Sequence, residues 1–209
     1  KLGRENPFGE ETYTPCNYLA EKTWEAISEV VGSALIAMDW LRAVAKEFLE
    51  YGVTPRWSTP LGFPVKMHYE NTNKYVIKTL VSGVLRQHRL RLPNGDPNVR
   101  KTVNAICANV IHSLDGFGGL LGETINLSAE QGVKQFLTVH DSISTTASEV
   151  PTLAACVREA TVRIFDEPVL ENLANQFDML LPPTGTIPEL PKLGDLDITK
   201  VRESKYYFN

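Results

Sequence analysis

The sequence predicts a mixed chain of the α/β (α+β) class, mostly helical, with one short β-hairpin and one projecting β-ribbon. Three observations lead there. Apolar residues recur at three- and four-residue steps over long stretches, a β-branched and alternating run fills residues 75–92, and a short apolar strand at 133–139 is interrupted by His140-Asp141-Ser142. With 209 residues, 43% apolar and 22% charged, the chain is long enough to bury a core as one large domain or two small ones. Nothing repeats internally.

The elements follow in order. Residues 1–13 are polar and predict an irregular lead-in. Thr14-Pro15 has the form of a helix N-cap followed by proline at the first helical position. Leu19, Ile27, Val30, Val31, Ala34, Leu35, Met38, Leu41, Val44, Ala45 and Phe48 then mark one long amphipathic helix. It ends near Tyr51-Gly52, with its stripe in the core. Arg56 to Val65, broken by two prolines and a glycine, predicts short extended pieces around a turn.

Residues 75–92 predict the ribbon, closed by the turn chemistry of Pro93-Asn94-Gly95-Asp96-Pro97. A helix is expected from about Ser113 to Gln131. The hairpin comes next, from Val133–Val139 and Ile143–Thr146, with the polar triplet at its tip. Two helices at about 151–166 and 168–181 are parted by Glu167-Pro168. A proline-rich stretch then leads to a last short helix and the tail Tyr206-Tyr207-Phe208-Asn209.

Charge is unevenly spread. The chain carries −4 overall, yet residues 74–101 hold Lys74, Lys78, Arg86, Arg89, Arg91, Arg100 and Lys101 against Asp96 alone. That window is +6 and the rest −10. A basic stripe on an acidic body is an electrostatic footprint for a polyanion, although a solvated charged hairpin has the same composition. Cys16, Cys107 and Cys156 lie far apart without CxxC spacing. This excludes a cysteine-based zinc site and a disulfide scaffold and fits a reducing compartment. No apolar run reaches the length of a membrane span, so no membrane insertion is expected. The chain opens with Lys1, not Met, and shows no signal peptide or basic transit segment, as expected of a fragment, a processed product or one piece of a larger chain.

An aspartate at the tip of a tight hairpin suits a divalent metal, because the strands fix the carboxylate while the turn exposes it. Mg²⁺ takes one or two carboxylates together with waters and substrate phosphates, so one aspartate per element suffices. On residues alone, His140-Asp141-Ser142 is a weak signal, since such a triplet in a turn is more often an ordinary polar loop.

Four segments carry a resemblance. Phe136-Leu137-Thr138-Val139-His140-Asp141-Ser142 resembles the His-Asp-Ser hairpin of single-subunit DNA-dependent RNA polymerases of bacteriophage and mitochondrial type. Pro97 to Asn104, followed by Asn109-Val110-Ile111-His112-Ser113-Leu114-Asp115, resembles that family's Arg-Lys-Gln-x-Asn and Asn-Phe-Ile-His-Ser-Leu-Asp segment. Trp57-Ser58-Thr59-Pro60-Leu61-Gly62-Phe63-Pro64-Val65 is similar to its Trp-Val-Thr-Pro-x-Gly-x-Pro-Val stretch. Glu203 to Asn209 is similar to its aromatic C-terminal foot. The segments keep the family's order and span nearly the whole chain. Locally, Cys107-Ala108 replaces a Pro-Pro pair, and Phe117-Gly118-Gly119 replaces a more polar segment.

The resemblance implies the C-terminal palm and fingers portion of a right-hand polymerase. Residues 1–70 would be a helical fingers and palm segment, 71–101 a ribbon placed like the family's specificity hairpin, and 102–209 the palm with its hairpin and foot. It implies Asp141 as a catalytic Mg²⁺ ligand, with His140 and Ser142 shaping the hairpin. His112, Arg100 and Lys101 would contact the RNA–DNA hybrid, and Lys78, Arg86, Arg89 and Arg91 would bind DNA. Asp115 is expected to organise its turn or to cap the following helix.

The partners implied are DNA template and promoter, the RNA transcript, nucleoside triphosphates, and an upstream polymerase portion carrying the other catalytic aspartate. The setting implied is a phage-infected bacterium or, alternatively, a mitochondrion. Two rival functions remain at this stage: a catalytically inert DNA-binding remnant and a His-Asp metal phosphohydrolase.

Overall fold

The computed structural model describes residues 12–207, so the lead-in at 1–11 and the last two residues of the tail lie outside the described part. The chain divides into two compact units, one ending at Asp39 and one beginning at Trp40. Among the described residues the element order is α1 (Tyr13–Val30), α2 (Gly32–Glu50), β1 (Arg56–Ser58), β2 (Pro64–Lys66), β3 (Glu70–Val81), β4 (Val84–Pro97), α3 (Val99–Asp115), α4 (Leu120–Glu130), β5 (Leu137–Val139), β6 (Ser142–Ser144), α5 (Val150–Phe165), α6 (Val169–Asp178) and a 3-10 helix (Ile198–Glu203). The six strands pair as three separate antiparallel hairpins. This is an α+β arrangement of helices and small sheets, and no described helix is long and apolar enough to cross a membrane.

The expected single N-terminal helix is two. Val31, at φ −119° and ψ 38°, leaves the helical region and ends α1, while Gly32 begins α2. Burial of the stripe also differs from expectation. α1 has no buried residue, and Leu19, Ile27, Val30 and Val31 are exposed. Only the C-terminal half of α2 reaches a core, through Trp40, Leu41, Val44, Ala45 and Phe48.

That core surrounds Phe177 of α6, which has no exposed surface. Its ring meets Phe48 edge-on at 5.3 Å and Trp57 edge-on at 6.1 Å, favourable geometries for aromatic quadrupoles. Ile106 and Val110 of α3 complete the cluster with Met67. The β1 strand is fastened to α6 by a side-chain amide: Ser58 N donates to Gln176 Oε1 at 2.7 Å, and Gln176 Nε2 donates to Ser58 O at 3.2 Å.

A second, smaller cluster joins α4 to α5 through Leu127, Cys156 and Ala160. Arg163 reaches Glu123 at 3.0 Å, and Arg202 of the 3-10 helix grips Glu159 with two bonds at 2.8 and 3.2 Å. Thr161 Oγ1 donates to Tyr207 Oη at 2.9 Å, so this part of the aromatic tail lies against α5.

The ribbon turns at Ser82-Gly83, and it extends past residue 92, where closure was expected, to Pro97. Both turn residues have positive φ (52° and 77°), as a two-residue hairpin loop of matching twist requires. Asn94-Gly95-Asp96 lies inside β4, opposite the register shift between Glu70 and Thr72, where it forms an irregularity at the ribbon's base. The helix expected from Ser113 also moves. Val99–Asp115 is already helical, capped by the Asn98 side chain, which accepts from Lys101 N. The break comes at Gly116–Gly119, before α4.

Candidate functional site

The hairpin of β5 and β6 pairs Leu137 with Ser144, Thr138 with Ile143 and Val139 with Ser142, leaving His140 and Asp141 as a two-residue turn. His140 takes φ +56°, a conformation in which histidine is more tolerated than most side chains. Asp141 is exposed at the tip. The flanks are not uniformly buried as expected: Ile143 is half-buried, but Val139 is 58% exposed. A three-residue strand in a two-stranded sheet has one face packed and the other open.

Asp141 and Ser142 line a cavity of about 520 Å³ together with Asp115 and Thr124, and its wall is apolar, with Leu121 of α4 and Leu153 of α5. Asp115 is the last residue of α3 and half-buried; it does not cap the next helix, whose N-cap is Gly119. Burial pushes the Asp115 carboxyl above the usual carboxylate range. Nearby His112 draws it down, and the Asp141 charge adds to the rise. Residues 26 positions apart thus share one electrostatic environment, with His112 one turn before Asp115 on α3. Residue patterns alone had not joined Asp115 to Asp141. The signal available was its place at the end of the segment that carries His112.

Two motifs distant in sequence build this corner. The Thr59–Phe63 turn is closed by Thr59 N to Phe63 O at 3.0 Å, and Phe63 N donates to Thr59 Oγ1 at 3.0 Å. Leu61 N then donates to Gly118 O at 3.2 Å. Trp57 Nε1 donates to Ser113 Oγ at 3.0 Å, and Ser113 Oγ donates to Val110 O at 2.7 Å. A side chain at Gly118 would place its Cβ 2.6 Å from Thr59 Oγ1, and one at Gly119 would collide with the Leu114 carbonyl. The two glycines let the loop between α3 and α4 press against the turn, which fixes the end of the helix that carries His112 and Asp115.

The other predicted residues separate into two groups. Arg100 and Lys101 belong to α3, not to the ribbon. Lys101 Nζ sits 4.4 Å from the Tyr69 ring centroid, a cation–π contact, while Tyr69 Oη accepts from Asn109 Nδ2 at 2.9 Å. Lys101, Asn104, Ala108 and His112 recur at three- and four-residue steps on the exposed side of α3, opposite buried Thr102, Ile106 and Val110. Lys78, Arg86, Arg89 and Arg91 are all exposed on the ribbon. The register brings Lys78, Arg89 and Arg91 to one face and puts Arg86 on the other.

The donor chemistry at the cavity suits Mg²⁺. Two carboxylates and neighbouring hydroxyls are hard oxygen ligands, and Mg²⁺ keeps most of its waters. Among the described residues no group of three or more His, Cys, Asp or Glu side chains is placed to hold a metal.

Comparison with known proteins covers nearly the whole chain. The family model for DNA-dependent RNA polymerase matches residues 3–184. DNA-directed RNA polymerase 3, chloroplastic, of Nicotiana sylvestris is 36% identical over 198 residues, covering 94% of this chain and 19% of the relative. DNA-directed RNA polymerase 2, chloroplastic/mitochondrial, of Arabidopsis thaliana is 35% identical over 211 residues, covering 100% of this chain and 20% of the relative. The mitochondrial polymerase 1 of Nicotiana sylvestris is 34% identical over 199 residues. The chain spans about a fifth of the length of these relatives. It belongs to the DNA-dependent RNA polymerase family of single-subunit, phage and organelle type.

Proposed function

We propose that this chain is the C-terminal palm and fingers portion of a single-subunit DNA-dependent RNA polymerase and contributes Asp141 as one Mg²⁺ ligand of its catalytic centre. The observation that carries this is Asp141 at the tip of the β5–β6 hairpin, lining a cavity that Asp115 also lines, in a chain of that family. Mg²⁺, when bound, neutralises charge on the triphosphate and on the attacking oxygen. The chain's own part is to hold the Asp141 carboxylate at a fixed point, with His140 and Ser142 setting the turn. His112, Arg100 and Lys101, on the open side of α3, approach the RNA–DNA hybrid. The ribbon's Lys78, Arg86, Arg89 and Arg91 meet DNA.

In this reading residues 1–70 are the fingers and palm segment, the specificity-hairpin-like ribbon expected at 71–101 ends at Pro97, and the palm and foot run from α3 to residue 209. The partners are template and promoter DNA, transcript, nucleoside triphosphates and the upstream portion with the other catalytic aspartate. The relatives' names, chloroplastic and mitochondrial, favour the organellar setting over a phage-infected bacterium.

One carboxylate-bearing hairpin does not make a two-metal centre, so the 209-residue chain alone is inactive. The test is reassembly. Purified alone, the chain gives no template-dependent RNA; mixed with an upstream polymerase portion, it restores synthesis. Asp141→Asn then removes that activity while DNA binding persists. RNA synthesis by the lone chain refutes its incompleteness, and full activity of Asp141→Asn refutes the assignment of Asp141.

A further inference from the structure

The last turn of α3 carries His112 and Asp115 and is only partly packed. After buried Val110, every residue from Ile111 to Asp115 is exposed or half-buried. Two cavities abut the turn: one of about 530 Å³ that Val110, Ser113 and Leu114 line, and the one of about 520 Å³ that Asp115 lines. Helix ends fray, so a turn with open space beside it needs a directional bond to keep one position. The glycine contacts press the following loop against the Thr59–Phe63 turn; one bond acts inside the helical turn itself.

That bond comes from Trp57. Its indole N–H donates to Ser113 Oγ at 3.0 Å, and the same hydroxyl donates to Val110 O at 2.7 Å. An indole nitrogen only donates, so the single proton of the Ser113 hydroxyl is directed to the backbone of α3. The indole is itself fixed. Trp57 is 5% exposed, stands edge-on to Phe177, and pairs with Val65 across β1 and β2. The next residue, Ser58, is held by the two bonds to Gln176. Ser113 is thus tied to the aromatic core, while its neighbour His112 is exposed. Successive helical residues point about 100° apart, so anchoring Ser113 on the packed side sets the direction of His112 on the open side.

We propose that Trp57 is a positioning residue for template-directed synthesis: its indole N–H, acting through Ser113, holds His112 at the RNA–DNA hybrid. The proposal rests on the hybrid-facing role of His112 argued above. It gives Trp57 a part beyond filling the core, since a ring without the N–H fills much of the same place and leaves the α3 turn untied.

The test uses the reassembled polymerase extending RNA on a preformed RNA–DNA scaffold, with KM for the scaffold and kcat measured separately. Trp57→Phe keeps an aromatic ring in the core and removes the N–H. Ser113→Ala removes the acceptor and leaves the aromatic core intact. Each is expected to raise KM by roughly three- to tenfold, the scale of one hydrogen bond, with kcat nearly unchanged. In a His112→Ala background, which itself raises KM, Trp57→Phe is expected to add nothing further. A merely structural role does the reverse: loss of folded enzyme lowers kcat, leaves KM alone and persists without His112. Unchanged KM in either variant, or an equal rise with and without His112, overturns the positioning role while the hybrid contact of His112 stands. Unchanged KM in His112→Ala overturns that contact and the positioning role with it.

Discussion

At the scale of single residues, the corner that holds Asp115 depends on what is absent. Gly118 has no Cβ because one would press 2.6 Å from Thr59 Oγ1 and 2.9 Å from Phe63 Cβ. Gly118→Ala therefore forces either the loop or the Thr59–Phe63 turn to move, at an expected cost of about 1–3 kcal/mol. Urea unfolding measures it, and an unchanged midpoint shows that the contact yields freely. Asp115 makes a different prediction. Burial raises its carboxyl pKa first, and Asp141 adds to the rise. The folded state thus favours the protonated acid: its contribution is intact at low pH and is lost as pH rises through the raised pKa. Asp115→Asn should stabilise the metal-free chain near neutrality, with the gain fading as pH falls toward about 4. Denaturant midpoints between acid and neutral pH check the sign, and a gain that grows on acidification contradicts it. The sequence had shown Asp141 as a candidate ligand because a hairpin motif is local. It had not shown the Asp115 pairing, because proximity across 26 residues is made by the docking of the hairpin, α3 and α4 into one cavity wall.

At the scale of elements, hairpins were legible and helix boundaries less so. The alternating pattern of 75–92 and the apolar flanks of His140-Asp141 are period-two signals that survive any tertiary context. The ribbon's end was expected at residue 92 because Pro93-Asn94-Gly95-Asp96-Pro97 is strong turn chemistry, yet here it serves as an irregularity within β4, which runs to Pro97. The start of α3 was hidden by its basic and β-branched residues, which resemble a continuation of the ribbon; the Asn98 cap was the available signal. The β5–β6 hairpin yields an element-level prediction. His140 holds φ +56° at the first central position of a two-residue turn, where glycine has no steric cost. If His140 serves only to shape the turn, His140→Gly should stabilise the chain by roughly 0.5–1 kcal/mol after its entropy cost. RNA synthesis in the reassembled polymerase should stay near wild type. A loss of about tenfold or more without loss of stability shows that the imidazole itself takes part.

At the scale of the whole molecule, burial is uneven in a way that the proposed function explains. The unit beginning at Trp40 has a closed aromatic core around Phe177, whereas α1, 18 residues long, buries nothing. Its exposed side chains include Tyr13, Tyr18, Leu19, Trp24, Ile27 and Val30. A lone helix of this length is marginal in water, and contiguous exposed apolar surface marks a place where another surface belongs. The periodicity that promised a core helix was real; under the proposed function the covering surface belongs to the upstream polymerase portion, and the chain itself spans about a fifth of the relatives' length. Hydrogen exchange tests this. In the lone chain the amides of α1 should exchange far faster than those of α5, which buries Leu153, Val157, Ala160 and Ile164. Adding the upstream portion should slow α1 by at least about tenfold, a stabilisation of roughly 1.4 kcal/mol, and move Trp24 emission toward the blue, while α5 changes little. Restored RNA synthesis with α1 still exchanging at its free rate shows that this helix is not the docking surface.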